Sequence, residues 1–184
     1  QAQSADVVGV HYPPTIKVEG SNLTINGSGI SYRAVAKLYT VGLYVPQKAS
    51  KAEAVFATGG PKQLRFVMLQ STRLDEMGTT ITRGIENNSS REEFFRLIPA
   101  IRQMSEVFSR IKRLETGDTL AIEYLPRVGT LFQVNFGCFY FYFFSVNFPF
   151  YLCTLIGKRL QFQVELLLQS GYLLVDRANF IGIE

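Results

Sequence analysis

Residues 35–50 read VAKLYTVGLYVPQKAS, and the assignment of this stretch decides the fold. Apolar residues dominate it as far as Val45, and Pro46, which cannot donate to a strand ladder, closes it. With the residues before it, it makes the longest strand expected in the chain, from about Ile30 to Val45. KASKAEAVFAT then carries a short helix pattern that Gly59-Gly60-Pro61 ends. Lys37, Tyr39, Thr40 and Tyr44 stand among the apolar residues and raise the question of a reaction site. On a strand such residues alternate between two faces. The tyrosines then supply apolar area with a hydroxyl at one end, which is packing rather than chemistry.

Working outward, TIKVEG alternates Ile16 and Val18 with Lys17 and Glu19, as a half-buried strand does. SNLTINGSG alternates Leu23 and Ile25 and is expected to turn at Asn26-Gly27. Downstream, KQLRFVMLQ returns as a strand. Leu74, Met77, Ile81 and Ile85 recur at helical spacing until Asn87-Asn88 stops them. Ser90 and Glu93 form a capping box that opens a second helix, in which each side chain satisfies a free backbone donor. Its buried stripe is expected to be Phe94, Leu97, Ile98, Ile101, Met104, Phe108 and Ile111, with Pro99 bending or restarting it. ETGDTLAIEYLPRVGT reads as a turn, a strand and a second turn. Three strands, a short helix, a strand, two helices and further strands predict an α+β domain with helices on one face of an antiparallel sheet.

The 184 residues fit a single domain with one good core. The net charge of +4 is modest and the basic residues are scattered, so no nucleic-acid surface is expected. His11 is the lone histidine, and Cys138 and Cys153 have no histidine beside them, which argues against a metal site or a Cys–His nucleophile. No phosphate loop, nucleophile elbow or well-aimed carboxylate pair appears, and no cofactor is implied. QAQSADVVGV has the small, polar character found after a signal-peptidase cut, so a periplasmic or otherwise exported protein is expected. Val128 to Gly157 carries no charge and is dense in aromatics. A hairpin turning near Ser145–Pro149 is expected there, and residues 131–157 are the candidate contact with a protein partner or a membrane surface.

Three motifs together are specific: GxxYPPT at 9–15, GLYxPxKA at 42–49 and GDxxxxxYxPxxGT at 117–130. In their order and spacing the chain resembles the chalcone isomerase-like family, its bacterial exported branch most of all, from about Val8 to Thr130. That resemblance implies an open-faced β-sandwich, a large antiparallel sheet covered by a layer of helices. It also implies a cleft between sheet and helices, which in the plant enzymes closes a chalcone into a flavanone and in non-enzymatic members holds a fatty acid. The reaction needs a cation and hydroxyl donors aimed at a developing oxyanion. Matched residue by residue, the family's arginine position holds Ser31, its threonine position Tyr39, its tyrosine position Met77 and its asparagine position Gly84. Serine carries no charge and methionine donates no hydrogen bond, so no catalytic residue is assigned.

Ser31, Arg33, Tyr39, Met77, Ile81 and Gly84 are therefore expected to line a ligand cleft. Arg33, two residues beyond Ser31, is expected either to reach into that cleft toward a ligand carboxylate or to stay at the surface beside Lys37. The expected protein is non-catalytic, with a fatty acid or other apolar small molecule between sheet and helices. The alternatives are an interaction or assembly module, and an isomerase using displaced residues such as Arg33 and Tyr39.

Overall fold

A computed structural model describes residues 4–126 and 128–135. The chain opens with a small hairpin of β1 (Ala5–Val7) and β2 (Val10–Tyr12). Next come β3 (Thr15–Val18), β4 (Ser21–Arg33) and β5 (Ala36–Val45). A short helix α1 (Ala52–Ala57) leads to β6 (Lys62–Met68). The two long helices, α2 (Leu74–Asn88) and α3 (Arg91–Ile111), are bracketed by two-residue strands β7 (Thr72–Arg73) and β8 (Arg113–Leu114). These strands pair with each other and tie off the helical excursion. The last strands described are β9 (Thr119–Leu125) and β10 (Gly129–Val134).

Six strands form one sheet in the order β10-β9-β6-β5-β4-β3, each neighbour antiparallel. The register separates its two faces. Val41, Phe66, Leu120 and Val134 fall on one row, and Leu43, Leu64, Ile122 and Phe132 on the next. Directly opposed residues share a face, so these rows build the floor on which Leu74, Met77 and Ile85 of α2 and Leu97, Met104 and Phe108 of α3 pack. The rings of Phe108 and Phe132 meet edge to face at 5.7 Å. The opposite face carries a smaller core of Tyr12, Val18, Leu23, Ile25, Tyr44, Leu125 and Leu131. Strands from both ends of the sheet contribute to it, so the sheet curls over on itself. The expected α+β arrangement, helices on one face of an antiparallel sheet, is what the chain adopts.

Three local expectations are corrected. The strand expected from Ile30 to Val45 is two strands, because the chain reverses at Ala34-Val35. Ala34 takes a left-handed φ of 53° there and Val35 stands 87% exposed at the tip. Neither residue is a usual turn former; the long ladder between β4 and β5 holds the turn in place. Asn26-Gly27 does not turn. It forms a bulge inside β4, where the buried Asn26 side chain accepts a hydrogen bond from the Ala49 amide at 2.8 Å. In α3 the capping box is present and the helix continues through Pro99 without a restart; of the expected stripe, Phe94, Leu97, Ile101, Met104, Phe108 and Ile111 are buried or pack on the core, and Ile98 departs. Ile98 is exposed, while Ala100 and Val107 are buried beside Leu97, Met104 and Phe108.

Candidate functional site

The hairpin of β4 and β5 reaches beyond the rest of the sheet toward the start of α2. Ser31 opposes Tyr39 across the two strands, and Tyr39 opposes Met68 on β6, so all three lie on the helix-covered face. The Tyr39 ring meets that of Phe66 edge to face, 5.4 Å between centroids. On α2, Met77, Ile81 and Gly84 follow at helical spacing along one face. Met77 is buried, and Ile81 and Tyr39 pack half-buried against the same core. A side-chain carbon at Gly84 would meet nothing within 4 Å, so the helix surface is open at that point.

Arg33 takes a different course. A register shift between Ser31 and Tyr32 interrupts the alternation from which a shared face was expected. Its guanidinium donates to Glu76 Oε2 at 2.8 Å, and both side chains are largely solvent-exposed. The hairpin is thereby clasped to the first turn of α2, and the charge is met by a carboxylate rather than directed among the apolar groups. Lys37 is also exposed. Tyr39, Met77 and Ile81 thus pack on one core as a largely apolar wall on the helix-covered side, Ser31 stands opposite Tyr39 on β4, and the exposed Arg33–Glu76 pair joins the hairpin to α2. The hydroxyls of Ser31 and Tyr39 are neutral, and neither stabilises an oxyanion as a fixed cation does.

The far face holds polar chemistry that sequence reasoning passed over. Tyr12 lies across Gly42 so closely that a side-chain carbon there would come within 2.6 Å of its ring. Its hydroxyl meets Thr40 Oγ1 at 2.7 Å, and the Tyr44 hydroxyl donates to the Pro13 carbonyl at 3.1 Å. Burial pushes both phenols up to about 12. Gln63 Nε2 donates to Glu123 Oε1 at 2.6 Å, and Gln133 Nε2 to Glu123 Oε2 at 3.5 Å. Burial raises the Glu123 carboxyl above its ordinary range, the Gln63 hydrogen bond opposes this, and the nearby Glu19 adds to it. Thr40, Glu123 and Gln133 alternate with apolar residues along their strands, a pattern that gives no sign of burial on this face; the curl of the sheet brings them inside. GLY at 42–44 carried the signal, since a mid-strand glycine marks close approach by a neighbour.

Among the described residues no cluster of three or more His, Cys, Asp or Glu is placed to hold a metal, and no helix is long and apolar enough to cross a membrane. Leu131–Val134, the start of the candidate contact segment 131–157, belongs to β10. The hairpin expected near Ser145–Pro149, and with it most of 131–157, lies outside the described residues.

A family model described as chalcone isomerase-like matches residues 4–137. Among solved structures the chain is similar to a fatty-acid binding protein of Arabidopsis thaliana, with a TM-score of 0.56 and 11% identity, covering 84% of this chain and 86% of that one. At that identity the likeness concerns the fold: a curled six-stranded antiparallel sheet under a helical layer. No curated protein sequence matches the chain.

Proposed function

The chain belongs to the chalcone isomerase-like family, and on that premise we propose that it is a non-catalytic member that holds a fatty acid or similar apolar molecule between its sheet and its helices. The observation that carries this reading is the largely apolar wall of Tyr39, Met77 and Ile81, with Met77 standing where the enzymes of the family have a tyrosine donor, Ser31 where they have a cation, and the hairpin's exposed guanidinium engaged by Glu76. Hydrocarbon burial needs no aimed charge and gains roughly 0.8 kcal/mol for each methylene removed from water. Cyclisation needs a fixed cation against a phenolate, and Ser31 is not one. The name of the Arabidopsis protein supports the same ligand class. An exported location belongs to the proposal and is tested by cell fractionation.

The purified full chain is extracted for mass spectrometry of bound lipid, then titrated with laurate against a dansylated undecanoic acid. Saturable displacement is expected, and it should be weakened at least tenfold by Ile81→Glu, which sets a charge on the wall. Absence of both extracted lipid and displacement overturns the lipid assignment. Turnover of a chalcone above the uncatalysed rate, lost in Arg33→Ala, would instead establish an isomerase working through displaced residues.

A further inference from the structure

The far face contains a depression of about 300 Å³ in which strands from both ends of the curled sheet meet. Its floor follows from the register. Ala121 on β9 stands between Arg65 on β6 and Gln133 on β10, a small residue flanked by two long ones. One step along the strands, Gln63 and Glu123 close one end, and Thr119 lies toward the other. Edge strand β3 and the turn after it form the facing wall, with Ile16 and Val18 supplying apolar surface and Lys17 and Glu19 supplying charge. The volume is at the lower end of the range for small-molecule sites, about 300–1,000 Å³.

The lining carries charge of both signs: Lys17 and Arg65 are cationic, and Glu19 and Glu123 are acidic. A ligand of single charge would face a like pair in this space, whereas one carrying both signs meets a partner for each. Glu123 is held 93% out of solvent by its surroundings, with one oxygen taking a short hydrogen bond from Gln63 and the other only a long one from Gln133. The weakly engaged oxygen can accept an ammonium hydrogen. Arg65 lies diagonally from Glu123 across β6 and β9, a separation of about 7–8 Å between backbone positions. Those two groups can therefore flank an ammonium and a carboxylate borne on one carbon. We propose that this depression is a second ligand site, separate from the helix-covered wall, and that it takes a small zwitterion with an apolar body, such as an aliphatic amino acid.

The test is an amide NMR titration of the full chain with L-leucine, and with its two singly charged fragments, 4-methylpentanoate and 3-methylbutylamine. L-leucine is expected to give saturable shifts at Arg65, Ala121, Gln133 and Ile16–Val18, and to bind at least tenfold more tightly than either fragment. Glu123→Gln, which keeps the shape and a hydrogen bond to Gln63, should weaken L-leucine at least tenfold without lowering the melting temperature. Ala121→Leu, which fills the floor, should abolish the shifts. Laurate at saturation should leave the L-leucine response in place, so failure of lipid binding does not bear on this site. The proposal is overturned if L-leucine produces no saturable shift at these amides, if a fragment matches it, or if Ala121→Leu leaves the response unchanged.

Discussion

On the helix-covered side, β5, β6, β9 and β10 present Val41, Leu43, Leu64, Phe66, Leu120, Ile122 and Phe132, and the helices seal them. On the other side the same strands present Thr40, Gly42, Gln63, Arg65, Ala121 and Glu123. The first face needs only shape, because dispersion and water exclusion act on any apolar contact. The second was polar by pattern and was then folded inward, so each group needs a partner of the right kind: Tyr12 for Thr40, Gln63 for Glu123. One sheet thus has a face held by volume and a face held by pairing. Substitutions on the two should fail by different amounts and with different pH dependence.

The largest effect is expected where volume alone matters. Phe108 is 1% exposed, packs on Phe132 and lies against Gly78 of α2, so it locks both helices to the sheet. Phe108→Ala should lose about 3–5 kcal/mol, read as a fall in the urea midpoint with an unchanged slope, and should be indifferent to pH between 5 and 8. A loss below about 1 kcal/mol would mean that the helical layer is not sealed to the sheet there.

Tyr12→Phe probes the paired face. Volume is kept and one hydroxyl goes, leaving Thr40 buried without that contact, for about 1–3 kcal/mol. Alkali sharpens the contrast. With the folded phenols of Tyr12 and Tyr44 at about 12 and the unfolded ones near 10, the unfolded chain releases these protons first as pH rises. Stability should therefore fall from about pH 10 to 12, by roughly 2 kcal/mol for each phenol. Absorbance at 295 nm should show these two tyrosines ionising only as the fold is lost, and Tyr12→Phe should shallow the decline. Full ionisation of all nine tyrosines in a still folded chain would contradict the burial of this face.

How far the sequence could be read depends on which face is considered. Strand and helix alternation made the sealed side legible: Met77, Ile81 and Ile85 repeat at helical spacing, and the Ser90–Glu93 box marks the start of α3 to the residue. Tyr39, Met77 and Ile81 of the candidate wall follow from the same periodicities together with the family motifs. The reversal at Ala34-Val35 was hidden because neither residue prefers a left-handed turn, and distant pairing decides it. The bulge at Asn26 looked like a turn because Asn-Gly serves both. Glu123 drew no notice because periodicity describes one strand at a time, while curling is a property of six.

Glu123→Gln should reverse the usual sign. Burial lifts the folded carboxyl above its ordinary range, so the unfolded chain ionises first as pH rises through the window between the two values. Stability conferred by the protonated form is lost across that window. The amide has no charge to bury, so the variant should be more stable than the parent at pH 7 and equal to it well below the carboxylate range. Urea melts at pH 3 and pH 7 measure both. An equal difference at the two pH values would mean that Glu123 is an ordinary solvated carboxylate.

The smallest effect belongs to the clasp between hairpin and helix. Arg33 and Glu76 are both exposed, so their pairing is screened, and Arg33→Ala should change stability by no more than about 1 kcal/mol. Its influence on a ligand is set by the same competition. While Glu76 holds the guanidinium, a fatty-acid carboxylate at the end of the wall gains little from it, and Arg33→Ala should weaken laurate less than about threefold by this reasoning. Glu76→Gln removes the competitor and leaves Arg33 in place, so laurate should bind several-fold more tightly, with the gain shrinking as salt is raised. A tighter complex at 20 mM salt that persists unchanged at 500 mM would mean that the headgroup is not what Arg33 senses. Loss of binding in Glu76→Gln would mean that the clasp itself shapes the wall.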